Sequence, residues 1–598
     1  MKKILAAAAG LVLAGFTAGA QDNYTSTLRT SVGDISFGAW GRSTFNIGHS
    51  EVDTKITADA TTLGQQALDG VTSAEAAYTS LGGTLTSDNE GYIADVISTV
   101  SAAQAAQAVA TGAIDASAQA AYQAQAAATL TQAYQAKAAI AMLKAMETDE
   151  STSKNYASLD PDWSYGSRVG FWIIGRTPDN HFGFDFNLDS DGHALFLHKL
   201  YDADEAEEDV NYNEDGKYAV AIGDQAKIWA QGDIEPLAVT GKIAFGKMRE
   251  NYLRGSIGDF GQRESSDVKS EDDIFSEFWP TTGLFVSATG MKDTVLEGAY
   301  AAAAIDLSGT LGVSCADTDR DSDMPLYDAL RTVQAGIGYT IPGIAQIKAQ
   351  YWGDSISADN YRYAESKFAS ARAAGYDMND YYGRLEFGID FLGFMGGATG
   401  LGDVDLEKTP NANLIEVGFK LPLVTRDELR EYDPETFYNW YSCIGTMGVV
   451  EKGFILYKGH IWGGQGTSNL AQYTPGGIVT LEKGKGADIL MAGVDALAEV
   501  CINPFGSQDL FVGLSGNYNI TKADGEDSTF ADLKLRQHNV GAEIYVKKTF
   551  GANNYLFVGI ADRYTKATME GTVGGVCDLS YESSSNKIYM PIGIEMFF

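Results

Sequence analysis

The last twelve residues of the chain alternate between apolar and mixed side chains without interruption. One set of positions is Ile588, Met590, Ile592, Ile594, Met596 and Phe598, and the other is Lys587, Tyr589, Pro591, Gly593, Glu595 and Phe597. Successive side chains of a β-strand point to opposite faces. The pattern therefore predicts a terminal strand with one oily face and one mixed face.

Similar alternation recurs along most of the chain. It occupies Ile35 to Ile47, resumes at Trp163 and holds to the carboxyl terminus. Between Leu392 and Gly486 it weakens, so the strands there cannot be placed, and Asp427 to Tyr441 is interpreted as a short helix. Elsewhere the period of two residues predicts many antiparallel strands.

One segment has a different texture. From Thr57 to Met146 the chain is rich in Ala, Gln, Thr and Ser and contains no proline. Alanine is the best helix former, so two or three long helices are predicted, with breaks near Gly82-Gly83 and Thr111-Gly112. Ser87 to Glu90 has the spacing of a capping box. The segment is too polar for lipid, and its helices either project from the barrel as a hairpin or fold into its mouth. The alternative is a variable low-complexity surface insertion.

The connections between predicted strands fall into two classes, which largely alternate. The short ones are Pro178–Asn180, Gly232–Pro236, Ile341–Gly343, Asn503–Gln508 and Phe550–Asn554. The long, mostly acidic ones are Asp189–Asp215, Arg249–Thr281, Ala316–Asp328, Ser355–Asp380 and Thr521–Asp532. Outer-membrane barrels have short periplasmic turns and long external loops, whereas a soluble sandwich has no reason to sort its loops.

These patterns predict an all-β fold, a transmembrane antiparallel β-barrel of about 16–18 strands with an Ala-rich α-helical insertion after the first strand. Residues 1–20 are interpreted as a cleaved signal peptide, with Lys2 and Lys3 before an apolar stretch and small residues before Gln21. Residues 21–50 hold the first barrel strand, 51–160 the helical insertion and 161–598 the barrel body. The predicted location is the outer membrane.

Composition narrows the function further. Lys plus Arg total 43 and Asp plus Glu total 79, so the net charge is −36. Nucleic acid is excluded as a partner, because a phosphate backbone needs a basic patch. Beyond the signal peptide there is no apolar run of about eighteen residues, so any membrane span has to be a strand.

No catalytic or metal chemistry is predicted. The G-x-S-x-G, Walker and H-E-x-x-H motifs are absent from any fitting context, so the chain is predicted to be no enzyme and to need no cofactor or metal. The four cysteines make no CxxC pair. Three disulfide pairings remain open, and Cys315 and Cys577, both expected in long loops, are the pair to test first.

Charged residues on the face opposite the oily one are the candidate site. The predicted pore-lining residues are Arg168, Arg176, Lys242, Lys348, Arg384, Glu386, Asp390, Glu543 and Lys547. A loop folding inward would form a constriction with Arg254, Arg263, Asp272, Asp273 and Glu277. Opposed charges around a water-filled lumen would sort ions and small solutes.

The segment Gly336 to Tyr351 reads as a strand, a turn and a strand. Together with Asp273-Ile274-Phe275 and the terminal Phe598, it makes the body of the chain resemble spirochaetal outer-sheath porin-like proteins. The resemblance to outer-membrane barrels implies that the barrel-assembly machinery reads the terminal aromatic strand, with Phe598 as the assembly signal.

The predicted function is an outer-membrane porin, with passive diffusion of small hydrophilic solutes or ions through a water-filled barrel in outer-membrane lipid. A homo-oligomer is left open. The alternative is a surface-exposed structural or adhesin protein, anchored by the barrel and binding through its helices. An outer-membrane hydrolase would need a nucleophile, base and acid that cannot be assembled. A TonB-type transporter is disfavoured because the first strand precedes the helices, which leaves no plug domain.

Overall fold

The structure is a computed structural model of the chain. It describes residues 26–30, 32–86, 90–159, 168–190, 221–247, 283–306, 333–341, 344–353, 383–393, 412–422, 440–450, 454–468, 486–526, 530–550 and 554–597.

The described strands form one closed antiparallel sheet. From β4 onward each strand pairs with the next along the chain, and the last pairs with β2, which closes the ring. The strands are β1 (Ser26–Thr30), β2 (Gly33–Ala60), β3 (Thr148–Leu159), β4 (Arg168–Arg176), β5 (Phe182–Ser190), β6 (Ala221–Ile234), β7 (Val239–Lys247), β8 (Gly283–Gly290), β9 (Ala299–Asp306), β10 (Gln334–Ile341), β11 (Ala345–Gly353), β12 (Gly383–Gly393), β13 (Ala412–Pro422), β14 (Trp440–Val450), β15 (Ile455–Ser468), β16 (Gly486–Cys501), β17 (Leu510–Glu526), β18 (Phe530–Phe550), β19 (Asn554–Val573) and β20 (Cys577–Phe597).

The pairing of β2 shows how many strand positions the closed barrel has. One of its edges pairs with β20 and, beyond the end of β20, with the short β1. Its other edge pairs first with β4 and then, further along, with β3. Because β3 and β4 follow one another along a single edge, they fill one position, and β1 adds none. The barrel therefore has eighteen strands, which confirms the predicted fold class.

The two ends of the barrel differ. All five predicted short connections join neighbouring strands at one end, called here the turn end. Four of the five predicted long loops fall in the intervals 191–220, 248–282, 307–332 and 354–382 at the opposite, loop end, and they lie outside the described residues. The sorting of connections by length thus follows the up-and-down topology.

The fifth predicted long loop is wrong. Residues 521–526 continue β17 and residues 530–532 begin β18, with Thr521 opposite Gln537 in the ladder. Here the strands carry polar outward side chains such as Lys522 and Asp524, so the sequence looks like a loop although its backbone is paired. Cys577 is likewise not in a long loop. It is buried at the start of β20, after a tight turn.

One sector of the barrel is much taller than a membrane requires. Strands β16 to β20 and β2 have 16 to 28 residues each. A tilted strand crosses a bilayer in about 9–11 residues. This sector, called here the tall wall, therefore extends well past the membrane at the loop end. The predicted first strand, Ile35–Ile47, is the membrane part of the longer β2.

The Ala-rich segment forms three helices, α1 (Thr62–Ser80), α2 (Glu90–Ala110) and α3 (Gln119–Ala145). Both predicted breaks are confirmed, since Gly82 and Gly112 adopt the positive φ that ends a helix. Buried residues of all three helices, among them Val71, Val96 and Leu130, form one core. The segment is thus a packed bundle, and residues 87–89 of the expected capping box lie outside the described part.

The bundle stands on the loop end of the tall wall. The backbone N–H of Thr61 donates to the carbonyl of Val576 at 3.0 Å, and its hydroxyl donates to the carbonyl of Gly575 at 2.8 Å. Ile140 and Leu143 near the end of α3 join a buried cluster with inward-facing wall residues such as Leu579. Of the two arrangements left open by the sequence, the bundle base is thus packed on the inner side of the rim.

The region of weak alternation, 392–486, contains β13, β14 and β15. Tyr441, expected at the end of a short helix, lies in β14, and residues 427–439 are outside the described part. Alternation is weak there because glycine and small residues occupy many positions of β14 and β15.

Candidate functional site: the outer belt and the inner wall

The outward face of the tall wall changes character at one level. Along β2 the outward residues Phe37, Ala39, Phe45 and Ile47 are followed by His49, Glu51, Asp53 and Lys55. Along β20, which runs the other way, Asp578, Ser580, Glu582, Ser584 and Asn586 are followed by Ile588, Met590, Ile592, Ile594 and Met596. The two changes coincide, because His49 pairs with Ile588 and Ile47 with Met590. An apolar belt therefore surrounds the turn-end half of the wall.

The belt has the dimensions of a membrane span. From Phe37 to Ile47, eleven tilted residues cover about 25 Å, the height of the apolar band of outer-membrane barrels. Tyr518 and Tyr564 both flank Val540 in the ladder and are exposed on the outer face at the upper edge of the belt. Tyrosine at this level is typical of the aromatic girdle at a membrane surface.

Inside the barrel, β4 to β7 carry a cluster of basic and aromatic side chains. An Nη1 atom of Arg176 lies 2.6 Å from Oδ1 of Asp185, and Nζ of the buried Lys227 lies 3.6 Å from Oδ2. The Arg176 guanidinium sits 4.6 Å above the ring of Trp229, and the Lys242 ammonium is 5.9 Å from the same ring. The indole face thus holds two cations by cation–π attraction.

A second cluster, on β11 to β13, is acidic and fully buried. Nζ of Lys348 lies 2.6 Å from Oδ2 of Asp390 and 3.7 Å from Oε2 of Glu416. The Gln350 amide donates to Oε2 of Glu386 at 3.2 Å. Buried charges need such partners, because desolvation without them is costly. Since these side chains are shielded from bulk water, this sector of the inner wall is packed.

A third cluster lies on β16 to β18. Nζ of Lys547 is 2.6 Å and 2.7 Å from the two carboxylate oxygens of Glu499, and the buried Tyr545 hydroxyl also donates to this carboxylate. The Tyr545 ring lies directly over Gly513, where any side chain would collide with it. A glycine on the neighbouring strand therefore sets the position of the tyrosine.

Next to it, Trp462 on β15 donates its indole N–H to Oδ2 of Asp495 at 3.2 Å, and Nδ1 of His460 is 3.5 Å from the same oxygen. Half-way round a ring of eighteen strands is nine positions, so β6 lies opposite β15. The basic and aromatic cluster of β4 to β7 thus faces β13 to β16, which carry Glu416, Asp495 and Glu499.

The inside–outside assignment made from the sequence can be compared with the burial of neighbouring side chains. Phe387 and Ile544 are 39% and 52% exposed, whereas Glu386 and Glu543 are 0% and 2% exposed. The apolar residues thus point outward and the carboxylates inward.

The structure brings seven of the predicted pore-lining residues into these clusters or beside them, namely Arg176, Lys242, Lys348, Glu386, Asp390, Glu543 and Lys547. Only the backbone of Arg168 and Arg384 is described. The constriction candidates Arg254, Arg263, Asp272, Asp273 and Glu277, and the assembly signal Phe598, lie outside the described residues.

Sequence reasoning missed several inward residues. Lys227, Glu416, Asp495 and Glu499 were not singled out, although each obeys the alternation of its own strand. On β16 the inward face also holds Ile489, Met491 and Leu497, while alanines lie outward. The hydrophobic contrast between the faces is therefore too small to reveal which side is inside.

At the turn end, Asp509 fastens the connection between β16 and β17 to β18. The carboxylate accepts hydrogen bonds from Lys548, from Ser507 at 2.6 Å and from Asn503 at 2.8 Å. Partial burial raises the pKa of Asp509, but these donors, led by Lys548, outweigh it and lower the pKa to about 2. The turn is thus held by an ionised carboxylate over most of the pH range.

Within the described ranges, no helix is long and apolar enough to cross a bilayer. No group of three or more His, Cys, Asp or Glu side chains in the same ranges is arranged to hold a metal ion. The described cysteines, Cys443, Cys501 and Cys577, form no disulfide with one another.

No family model and no curated protein sequence matches the chain. Among solved structures, it is similar to the outer membrane channel DcaP of Acinetobacter baumannii, with 9% identity over 97% of this chain and 100% of that chain and a TM-score of 0.31. It is also similar to OccK8 (OprE) of Pseudomonas aeruginosa, with 10% identity over 72% and 94% of the two chains and a TM-score of 0.33. The outer-membrane expressed OmpT of Vibrio cholerae gives 10% identity over 96% and 100%, with a TM-score of 0.30.

Proposed function

We propose that the protein is an outer-membrane porin through which small hydrophilic solutes or ions diffuse passively. The observation that carries the proposal is the contrast between the apolar outer face and the charged inner face of the barrel wall. At the height of the apolar belt, the inner faces of the strands carry ion pairs between Arg176 and Asp185, Lys348 and Asp390, and Lys547 and Glu499. A barrel that only anchored a bundle would gain nothing from burying so many charges.

The clusters also suggest how such a pore discriminates. Basic and aromatic side chains on β4 to β7 face acidic strands across the ring, which would set up a transverse field that orients dipolar solutes. The packed acidic sector around Glu386 narrows the water-filled cross-section. We therefore expect a single-channel conductance below that of an eighteen-strand barrel with a fully open lumen.

Recordings from the purified full-length protein in a planar bilayer test the proposal. Discrete conductance steps are expected, together with an ion selectivity that shifts when Lys242 is changed to Gln. Lys242→Gln removes a positive charge on the inner wall that lies near the Trp229 and Phe285 rings. Lys534→Gln, on the outer face of β18, is the matched control and should leave selectivity unchanged. If the protein inserts demonstrably into the bilayer and no conductance steps are recorded, a porin is excluded.

A second function is favoured by the tall wall and the helical bundle. In it the barrel anchors a surface-exposed structural or adhesin protein, and the rigid bundle is the binding part. Replacing Thr62–Ala145 with a short Gly/Ser linker distinguishes the porin from the barrel-anchored adhesin. A porin keeps its conductance, whereas an adhesin loses binding to its target surface while the barrel still inserts.

Several finer statements belong to the same proposal. Residues 1–20 are a signal peptide that directs export and is then cleaved. The barrel-assembly machinery recognises the terminal strand through Phe598. Residues 336–351 resemble spirochaetal outer-sheath porin-like proteins. Arg254 to Glu277 would form the constriction. Assembly of a homo-oligomer in the membrane is an open part of the proposal, and cross-linking in intact membranes tests it.

A further inference from the structure

Two basic side chains face one another on the inner side of the tall wall, at the height where the outer apolar belt ends. Arg563 on β19 and Lys587 on β20 are directly opposite in the ladder. Both belong to the inward sets of their strands, with the buried Met569 and Tyr589, and both are half-buried. Like charges placed directly across a strand pair destabilise it. An anion bound between the two would remove this repulsion.

Two tyrosines hold the Lys587 ammonium in place. Its Nζ lies 4.8 Å from the centre of the Tyr589 ring and 5.5 Å from that of Tyr156 on β3. Tyr156 reaches this position by crossing β2 at Gly48, where a Cβ would lie only 2.8 Å from the tyrosine hydroxyl oxygen. Cation–π contacts position an ammonium without neutralising it. Lys587 is thus fixed on the wall with its positive charge retained.

The inward carboxylate of β18 leans away from this pair of cations. Glu543 lies one inward step closer to the turn end than Arg563. Its Oε1 atom is 3.3 Å from the place that a Cβ of Gly559 would occupy, which is one inward step further toward the turn end. Because the carboxylate points toward the turn end, the loop-end side of Arg563 presents its positive charge.

A solute that enters from the loop end meets the two cations as the first charges on this part of the wall. The inward positions of β20 over 577–585 and of β19 over 565–573 are all uncharged. The inward positions of β2 over 50–60 are uncharged as well. Several of these positions nearest the cations are Ser or Thr, which suit the hydroxyl groups of a hydrophilic solute. The wall thus leads from a neutral polar surface to a positive one.

We propose that Lys587 and Arg563 form a subsite for the phosphate group of a small phosphorylated solute. The inference rests on the proposed porin function and gives the class of solute. A phosphate monoester carries a charge of about −1.5 to −2 near pH 7, which matches two cations, whereas a single carboxylate matches one. The Lys587 ammonium and the Arg563 guanidinium donate charge-assisted hydrogen bonds to the phosphate oxygens, and bonds of this kind are stronger than neutral ones.

Isothermal titration calorimetry of the full-length protein in detergent micelles measures the subsite directly. The probes are glycerol 3-phosphate, inorganic phosphate and acetate. The two phosphates should bind saturably and more tightly than acetate. If glycerol 3-phosphate binds more tightly than inorganic phosphate, the ligand is a phosphate ester, and the reverse order identifies free phosphate.

Variants of Lys587 test the role of its charge. Lys587→Gln should weaken phosphate binding about tenfold, as expected for the loss of one charge-assisted hydrogen bond. Lys587→Arg keeps the charge and should retain most of the affinity, which separates loss of charge from a change in the fold.

The matched control is Lys566→Gln. Lys566 lies on the outer face of β19, and its Nζ is 2.6 Å from a carboxylate oxygen of Glu582. The change removes the same charge from the chain without altering the inner wall, so it should leave phosphate binding unchanged. An equal loss of affinity in Lys566→Gln and Lys587→Gln would overturn the proposal, because the net charge of the chain would then explain the binding.

Two further results would also overturn the subsite. One is the absence of saturable phosphate binding to the native protein, and the other is acetate binding as tight as that of phosphate. In planar bilayers, glycerol 3-phosphate should reduce the chloride current through the native protein more than through Lys587→Gln. Silent bilayers combined with saturable phosphate binding would exclude the porin and keep the subsite, so the two failures are distinguishable.

Discussion

At the scale of single residues, successive side chains of each barrel strand alternate strictly between the outer face and the inner face. Phe387 and Glu386 are neighbours in β12, yet one is exposed on the outer belt and the other is fully buried inside. Each inward-facing charged residue with a described ion pair, such as Lys348, has its partner on the neighbouring strand or on the strand after it. Residue identity thus matters here through the face on which it lies.

The lipid face should therefore resist charge far more than the inner face. We expect Phe387→Arg to cost about 2–4 kcal/mol of unfolding free energy near the bilayer midplane. Glu386→Gln keeps the shape and the hydrogen bond with Gln350, so its cost should be much smaller. Denaturant titration of both variants in lipid vesicles measures the difference, and equal stabilities would mean that inside and outside have been exchanged.

Asp509 should make the turn end sensitive to acid. Its pKa is lowered to about 2 in the folded protein, against about 3.9 in an unfolded chain. A lowered carboxylate pKa contributes stability at pH values above the unfolded pKa, and the contribution is lost as the pH falls toward 2. The stability gap between the native protein and Asp509→Asn should thus be nearly constant from pH 7 to about pH 5 and be mostly lost at pH 2. A gap that persists at pH 2 would contradict the ionic account.

At the scale of elements, the bundle contacts the rim through close backbone approach as well as through side-chain packing. The start of α1 lies so close to the turn between β19 and β20 that a Cβ at Gly64 would collide with the carbonyl oxygen of Val576. Thr61 makes two hydrogen bonds to the same turn. Close approach of this kind fixes the base of the bundle against the wall.

The glycines of α1 offer a matched test of this contact. Gly64→Ala should loosen the base of the bundle, because the methyl group has no room. Gly70→Ala makes the same chemical change at a position with open space around it, and it should stabilise the helix by up to about 1 kcal/mol. Limited proteolysis between Thr62 and Ala145 reports both effects. Equal protease resistance of the two variants would show that the contact does not hold the bundle.

At the scale of the whole molecule, the tall wall and the bundle stand together at the loop end. They form one large water-exposed surface, made of the outer face of the wall and the bundle. If the turn end faces the periplasm, as in outer-membrane barrels, this surface faces outward from the cell.

The orientation can be tested at the far side of the bundle. Ser117 lies between α2 and α3, is exposed and is remote from the belt. In a Cys315→Ser background, we expect Ser117→Cys to react with a membrane-impermeant thiol reagent on intact cells, while the buried Cys443, Cys501 and Cys577 stay unlabelled. A cysteine at Gln508, in the turn between β16 and β17, should react only after the outer membrane is broken. The reverse pattern would place the bundle in the periplasm.

The sequence by itself determined the class of fold, the placement of the helices and most of the inside–outside alternation, because these depend on local periodicity and on glycine breaks. The extent of the tall wall was decided only by the tertiary structure. Beyond the belt both faces of a strand meet water or the bundle, so the pattern from Thr521 to Asp532 no longer distinguishes a strand from a loop. Pairing between distant strands likewise decided which charges meet, as Lys547 and Glu499 do. Register and closure bring together residues far apart in sequence, and no local pattern contains that information.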